Sequence, residues 1–316
     1  MQKKNNTILL IGSGYMAIEY SKVLNNLEVP FVVVGRSEEG VTKFKKETGI
    51  VAIAGGIKKW IDNCISIPEN AIVAVTGSEL GKVTRILINK KIKNILLEKP
   101  GGVDDEDILS LNELAIKNNS NVLLAYNRRF FASTIKAEEI IKKDGGVKSF
   151  LFEFTEWSHV IKDIKKATGI KENWLLHNST HVIDMAFFLG GNPEDIKCFK
   201  TGNLSWFKKG SIFTGAGVSS RGALFSYHAN WESPGRWWIE LLTRENRLIF
   251  KPLEELKIQK IGSVKVEKVE IDDELDRKFK PGLFLQTSAF LNKDWIKLKT
   301  IQEQSEDIAI LKKIRG

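Results

Sequence analysis

The chain has 316 residues, 42% hydrophobic and 28% charged, enough to bury an ordinary core and longer than most single α/β domains need, so two domains are expected. Its formal net charge of +9 comes largely from lysines scattered along amphipathic segments such as residues 41–48 and 86–93. That reads as a solvated surface, and with no groove-reading motif and no interleaving of aromatic with basic residues, no nucleic-acid partner is expected.

Residues 1–6 are basic and polar, and the apolar run behind them, Ile8–Ile11, is too short for a secretory h-region and ends in glycines. It reads as a first strand. No run approaches the roughly 18 consecutive apolar residues of a membrane-spanning helix, so no membrane partner is expected. Cys64 and Cys198 stand far apart, outside any C-x-x-C pair that could close a zinc or redox site, and a reducing cytoplasm fits that usage.

Short aliphatic runs recur at Phe31–Val34, 51–54, 72–76, 95–98 and 122–125, with helical patterns between them. Continuous apolar runs alternating with helices describe a buried parallel sheet, and six of them a doubly wound domain. The helix before the last run opens on acids at 104–107, shows Ile108, Leu111, Leu114 and Ala115 on one face, and stops at 118–120. After Lys143 the texture changes. Residues 147–156, 222–230, 237–243, 247–251 and 264–271 read as successive strands, the mark of a largely antiparallel sheet. Helices are expected at 178–189, at 283–291 and over 306–314, the last with Ser305 as N-cap. The expected fold class is α/β plus α+β, with a first domain over 1–125 and a second over 126–316. The second has an open, mostly antiparallel sheet with helices on one face, and its final helix is free to pack back on the first domain.

Directly after the first strand stands Gly12-Ser13-Gly14-Tyr15-Met16-Ala17, which fits G-x-G-x-x-G/A. Gly12 permits the tight turn, Gly14 lets a pyrophosphate approach the backbone, Ala17 allows close helix packing, and a helix N-terminus faces the phosphates. Tyr15 and Met16 complete this candidate dinucleotide contact. About 20 residues on, where an Asp or Glu would take the ribose 2′-hydroxyl of NAD, stand Gly35, Arg36 and Ser37. A guanidinium fork and a hydroxyl suit a 2′-phosphate, so NADP(H) is favoured over NAD(H); the alternative is an Arg36 that stacks on adenine or points to solvent. Thr76, Glu98-Lys99-Pro100 and Asn127 stand at later strand ends, where ligands of open parallel sheets gather. Lys99 can hydrogen-bond a reacting hydroxyl and stabilise developing alkoxide charge beside a proline that limits backbone freedom; the alternative is a surface lysine in a βα turn.

In the second half His177, His181 and Asp184 fall on one helical face at i, i+4 and i+7. Imidazole titrates near neutral pH and can exchange the proton of a carbinol. A metal reading lacks the Glu of H-E-x-x-H and a third ligand, so no metal is expected. A satisfied structural histidine is the remaining alternative.

Gly12 to Ala17, Glu98-Lys99-Pro100, Asn127-Arg128-Arg129-Phe130 and His181 with Asp184 together resemble, in order and over nearly the whole chain, the Gfo/Idh/MocA oxidoreductase family. The resemblance implies a Rossmann domain followed by a domain with an open antiparallel sheet, and substrates that are sugars, cyclitols or their derivatives. It implies Lys99 as the catalytic lysine, Pro100 after a cis peptide, and His181 as general acid/base, with the nicotinamide between them. The family helix pattern D-x-G-x-H-x-x-D becomes His177, Ser179, His181 and Asp184 here, so an imidazole stands where a carboxylate contacts substrate or orients the reactive histidine. Residues 76–81 depart from T-P-N-x-x-H, with Gly77, Ser78 and Gly81 in place of the proline, asparagine and histidine.

Arg129 matches a family arginine read as one half of a structural ion pair. Lys99, Tyr126, Arg128, Trp174, His177 and His181 remain as expected substrate contacts, while Trp157, His159, Trp231, Arg236 and Trp237 could add stacking and donor groups. The expected activity is reversible hydride transfer between NADP and a secondary alcohol of a sugar, as in cell-surface sugar biosynthesis; Arg128 and Arg236 would suit a nucleotide-linked or phosphorylated one. A non-catalytic cofactor-binding regulator on the same fold is the alternative. A homodimer or homotetramer joined through the exposed face of the second sheet is expected.

Overall fold

Parallel strands must be covered by helices on both faces, and the apolar runs of the first half are buried accordingly. In a computed structural model of the chain, which describes residues 7–316, six parallel strands form: β1 (Ile8–Ile11), β2 (Phe31–Val34), β3 (Ala52–Ile53), β4 (Asn70–Val73), β5 (Asn94–Leu97) and β6 (Asn121–Leu124). Their order is β6-β5-β4-β1-β2-β3, so the topological switch point lies between β1 and β4, where open sheets bind their ligands. The connecting helices are α1 (Tyr15–Asn26), α2 (Glu38–Thr48), α3 (Gly56–Asn63), α4 (Leu80–Asn89) and α5 (Asp105–Lys117). Asp104 caps α5, its carboxylate accepting from the Asp107 amide at 2.9 Å. The basic stretch at residues 1–6 lies outside the described residues.

In the second sheet β7 (Ser149–Glu153), β8 (Pro193–Thr201), β9 (Ile212–Ser219), β10 (Leu224–Asn230), β11 (Trp238–Leu242), β12 (Asn246–Phe250), β13 (Lys257–Lys260) and β14 (Val266–Lys268) pair in the order β14-β13-β12-β11-β7-β10-β9-β8. Only β7 and β10 run parallel. The sequence reading missed β8, β9 and β13. In β9 the signal is broken by Gly215 and Gly217, and the packing requires both. A Cβ on Gly215 would lie 2.5 Å from the Tyr227 ring, and one on Gly217 2.0 Å from the Asp195 carbonyl. The helices of this half are α6 (Ala132–Lys143), α7 (Ser158–Ile161), α8 (Thr180–Gly190) and α9 (Glu274–Lys278). Phe187 of α8 sets its ring edge-on to Phe150, Phe152 and Phe225 at 6.1, 5.4 and 5.3 Å, an arrangement that adds to the burial of each ring.

The chain divides into two compact units, one built from the described residues up to Tyr126 with Leu283–Glu306, the other from Asn127–Gly282 with Asp307–Gly316. A single division after residue 125 misplaces 283–306, for three reasons. Gln286 of α10 (Leu283–Asn292) donates to the Tyr20 hydroxyl of α1 at 3.1 Å. The short β15 (Lys299–Thr300) pairs antiparallel with β6. Gln304, in the first turns of α11 (Ile301–Arg315), accepts from the Tyr126 hydroxyl at 3.1 Å. Ser305 is therefore no N-cap: α11 begins four residues earlier, and the Ser305 hydroxyl donates back to the Gln302 carbonyl. No helix among the described residues is long and apolar enough to cross a membrane.

Candidate active site

In the first unit the turn from β1 into α1 requires its glycines. Gly12 has φ +125°, and a Cβ there would lie 2.2 Å from the Ala74 carbonyl oxygen, so any larger residue is excluded by both strain and contact. Gly14 caps α1 without a side-chain hydrogen bond, and nothing stands within 4 Å of the place its Cβ would take. Helix amides with no side-chain cap beside open space form a cradle that a pyrophosphate fits. Ala17 is fully buried, Met16 is half-buried and Tyr15 is exposed.

Arg36 and Ser37 are exposed at the end of β2. Ser37 caps α2, its Oγ accepting from the Gly40 amide at 3.2 Å, so that oxygen is held at the strand end. Thr76 is exposed in the turn after β4. The departure at Gly81 has a packing cause. A Cβ there would lie 2.3 Å from the Asp107 carboxylate, which Arg85 grips at 2.6 Å; the acid fills the space a larger residue would need.

Glu98 accepts a hydrogen bond from Tyr20 at 2.9 Å. Burial first, and Glu98 second, holds the Tyr20 hydroxyl well above its ordinary pKa, so it stays a donor. This chain from Gln286 through Tyr20 to Glu98 ties the turn after β5 to two helices. Lys99, the next residue, is half-buried, and its bond to Pro100 is cis. Tyr126, read as a substrate contact, is 2% exposed, and its hydroxyl donates to Gln304. Asn127, read as a cofactor contact, begins a 3-10 turn (Asn127–Phe130) in the second unit, and its buried amide donates to the Pro281 carbonyl at 2.9 Å.

In the second unit Arg129 forms a two-pronged ion pair with Asp184 at 2.8 and 2.7 Å, with side chains only 11% and 4% exposed. The ion pair read for Arg129 is thus formed with Asp184. His177 lies in a π-helical turn (Leu175–Ser179) ahead of α8. The reading of His177, His181 and Asp184 as one helical face assumed one regular helix, and here the helix passes from a π turn at His177 into α8 at Thr180. Both histidines are half-buried. Trp174, read as a substrate contact, is 8% exposed and meets Trp206 edge-on at 6.0 Å; it is part of a tryptophan cluster in which Trp206 stacks on the buried Trp231 at 5.8 Å. Trp157 and His159 line a cavity of about 510 Å³ with Trp231, Glu232 and Gly235.

The residue that the sequence reading missed is Glu156. Its side chain is fully buried and accepts hydrogen bonds from Asn178 at 2.9 and 3.0 Å and Ser179 at 2.7 Å, with the Arg236 guanidinium 3.6 Å away. The signal was present: Phe150, Phe152 and Phe154 alternate inward, and the same period of two carries Glu156 to the inner face. Glu156 thus grips the π turn that carries His177.

Burial pushes the Glu156 carboxyl up to about 7, against the lowering pull of Ser179 and Arg236. An acid raised from 4.5 to about 7 on folding holds in the native state a proton that the unfolded chain has lost. Stability therefore falls as pH rises across that window, by roughly 3 kcal/mol. Glu156→Gln is expected to flatten this slope and to melt higher than the parent well above pH 7. Parallel melting curves against pH for the two proteins would count against the buried acid.

No family model and no curated protein sequence matches the chain. Solved structures do, and three illustrate the match. Levoglucosan dehydrogenase in complex with NADH superposes with TM-score 0.76 at 15% identity, covering 98% of this chain and 96% of that one. UDP-N-acetylglucosamine 3-dehydrogenase from Acidithiobacillus ferrooxidans gives 0.72 at 13%, covering 98% and 96%. An oxidoreductase from Desulfitobacterium hafniense, described as NADPH-dependent, gives 0.76 at 16%, covering 98% and 94%. The chain has the fold of these NAD(P)-binding oxidoreductases, a doubly wound parallel sheet followed by a mostly antiparallel one.

Proposed function

We propose that the chain is an NADP-preferring oxidoreductase of the Gfo/Idh/MocA type, acting on a secondary alcohol or ketone of a sugar, cyclitol or sugar derivative. The observation that carries this reading is the cradle at Gly12 and Gly14, followed by an exposed Arg36 and Ser37 where an acid would select the ribose hydroxyl. Bound there, a nicotinamide dinucleotide supplies hydride chemistry. Lys99 donates a hydrogen bond to the reacting oxygen and stabilises alkoxide charge, while His181 exchanges the carbinol proton. His177 occupies the place of the family's acid and contacts substrate as a donor rather than as a fixed negative charge.

The solved relatives named for sugar and nucleotide-sugar dehydrogenation support this substrate class, and a cytoplasmic role in cell-surface sugar synthesis is part of the reading. So is a homodimer or homotetramer, supported by Phe199 and Leu224, which are 69% and 65% exposed on strands of the second sheet.

Quenching of tryptophan fluorescence by NADPH and NADH tests the reading. Saturable NADPH binding is expected, and Arg36→Asp should weaken it by about tenfold or more while sparing NADH, because an acid repels the 2′-phosphate. If neither nucleotide binds at millimolar concentration, the dinucleotide assignment is wrong.

A further inference from the structure

Two guanidinium groups converge on one indole in the second unit. Arg128 lies 5.1 Å from the centre of the Trp237 ring and 5.7 Å from that of Phe131, while Arg236 lies 4.5 Å from Trp237 and 4.8 Å from Trp157. The Trp237 ring is in turn 6.1 Å from the His181 ring. Rings of this kind hold a guanidinium in place without neutralising it. The Arg128 Nε is out of contact with solvent and has no hydrogen-bond partner, and among the described residues no carboxylate forms an ion pair with Arg128.

Such a group is costly to bury alone, since a charged donor left unmade forfeits more than a typical hydrogen bond contributes. Burial, with Arg236 adding repulsion, pulls the Arg128 pKa down to about 10 against the opposing pull of Glu254 and Glu156, so it remains a cation at neutral pH. Arg236 is paired only at 3.6 Å with Glu156, and its side chain is 47% exposed. Two cations on Trp237, the ring next to His181, one without an ion-pair partner and one loosely held, describe a receptor for an anion.

We infer that Arg128 and Arg236, set on the two rings Trp237 and Trp157, bind an anionic group of the substrate, a carboxylate or a phosphate borne by the sugar. The inference rests on the sugar oxidoreductase reading for the identity of the ligand. Arg128 is half-buried and offers its guanidinium charge, and Arg236 supplies the second charge. A neutral sugar leaves both guanidinium charges without a counter-charge, so discrimination against it follows.

The test is a titration of the full chain with D-glucuronate, glucose 6-phosphate, inorganic phosphate and D-glucose, followed by tryptophan fluorescence and by calorimetry. Trp237 lies against both cations, so an arriving anion alters its surroundings. At least one anion is expected to saturate about tenfold or more tighter than D-glucose. Glucuronate or glucose 6-phosphate as the tighter of the pair identifies the carboxylate or the phosphate as the group. Arg128→Met should abolish the discrimination, and Arg128→Lys, which keeps charge without the planar fork, should retain a part of it. Thermal melting of both variants separates a lost site from a lost fold. Absence of any saturable anion response in the parent, or the same discrimination in a folded Arg128→Met variant, overturns the inference. Because NADPH binding is read separately, an anion response without NADPH binding would overturn the oxidoreductase reading and keep the anion site. NADPH binding without an anion response would do the reverse.

Discussion

Lys99→Ala is expected to lower the rate of hydride transfer about 1000-fold while leaving NADPH affinity within about threefold. The expectation comes from the position of Lys99 in the turn after β5. A lysine there competes with water for the reacting oxygen, and its charge gains most when that oxygen becomes an alkoxide, so the loss falls on the rate and not on binding. The turn itself should survive the substitution. Glu98 remains bonded to Tyr20, and Tyr20 to Gln286, so the backbone at residue 99 stays anchored when the side chain is removed. His181→Asn should produce a second large loss, with one difference: the histidine variant should also remove a limb of the pH–rate profile, as the group proposed to exchange the carbinol proton. Full turnover in the Lys99→Ala variant would remove Lys99 from the chemistry, whereas a parent protein that binds NADPH and turns over no sugar would assign the chain to cofactor-binding regulators instead of enzymes.

The first unit was the more legible half because both faces of its strands are covered. Fully buried strands are apolar without interruption, and the runs at 95–98 and 122–125 lie within one residue of β5 (Asn94–Leu97) and β6 (Asn121–Leu124). What stayed hidden there was β15, two residues with no pattern of their own, ordered by pairing with β6. In the second unit one face of the sheet is solvated, and the pattern thins. β8 lies at the sheet edge and exposes Glu194, Asp195, Lys197 and Phe199, so no apolar period marks it. Local motifs located the glycine turn, Lys99 and the histidines. They could not show how deeply Tyr126 and Trp174 are buried or that His177 sits in a π turn, since those facts depend on partners distant in sequence, namely Gln304, Trp206 and, for the turn, Glu156. Glu156 is the instructive omission. Its alternation with three phenylalanines was visible, but an acid before Trp157 was absorbed into a strand without the question of which face it occupied.

Asp184→Asn is expected to destabilise the second unit by about 3–5 kcal/mol, the largest stability effect of any single isosteric change at the site. Two parallel N–H···O bonds join Arg129 to Asp184 at 2.8 and 2.7 Å, and the Arg129 guanidinium lies 4.9 Å from the Phe188 ring of the same helix. Asparagine keeps the volume but supplies one acceptor and no charge, so Arg129 is left as a buried cation with one of the two bonds that Asp184 accepted. The cost belongs to the stranded charge more than to the pair. Replacing both members with apolar residues, as in Arg129→Met with Asp184→Leu, should therefore recover most of the lost stability. Urea unfolding of the parent, the single variant and the double variant measures this directly, and a single variant as stable as the parent would show that the pair contributes nothing. The pair also fixes α8 three residues beyond His181. Any variant still folded should then show a His181 whose proton exchange is slower because its helix is less firmly held, with NADPH affinity at the first unit unchanged.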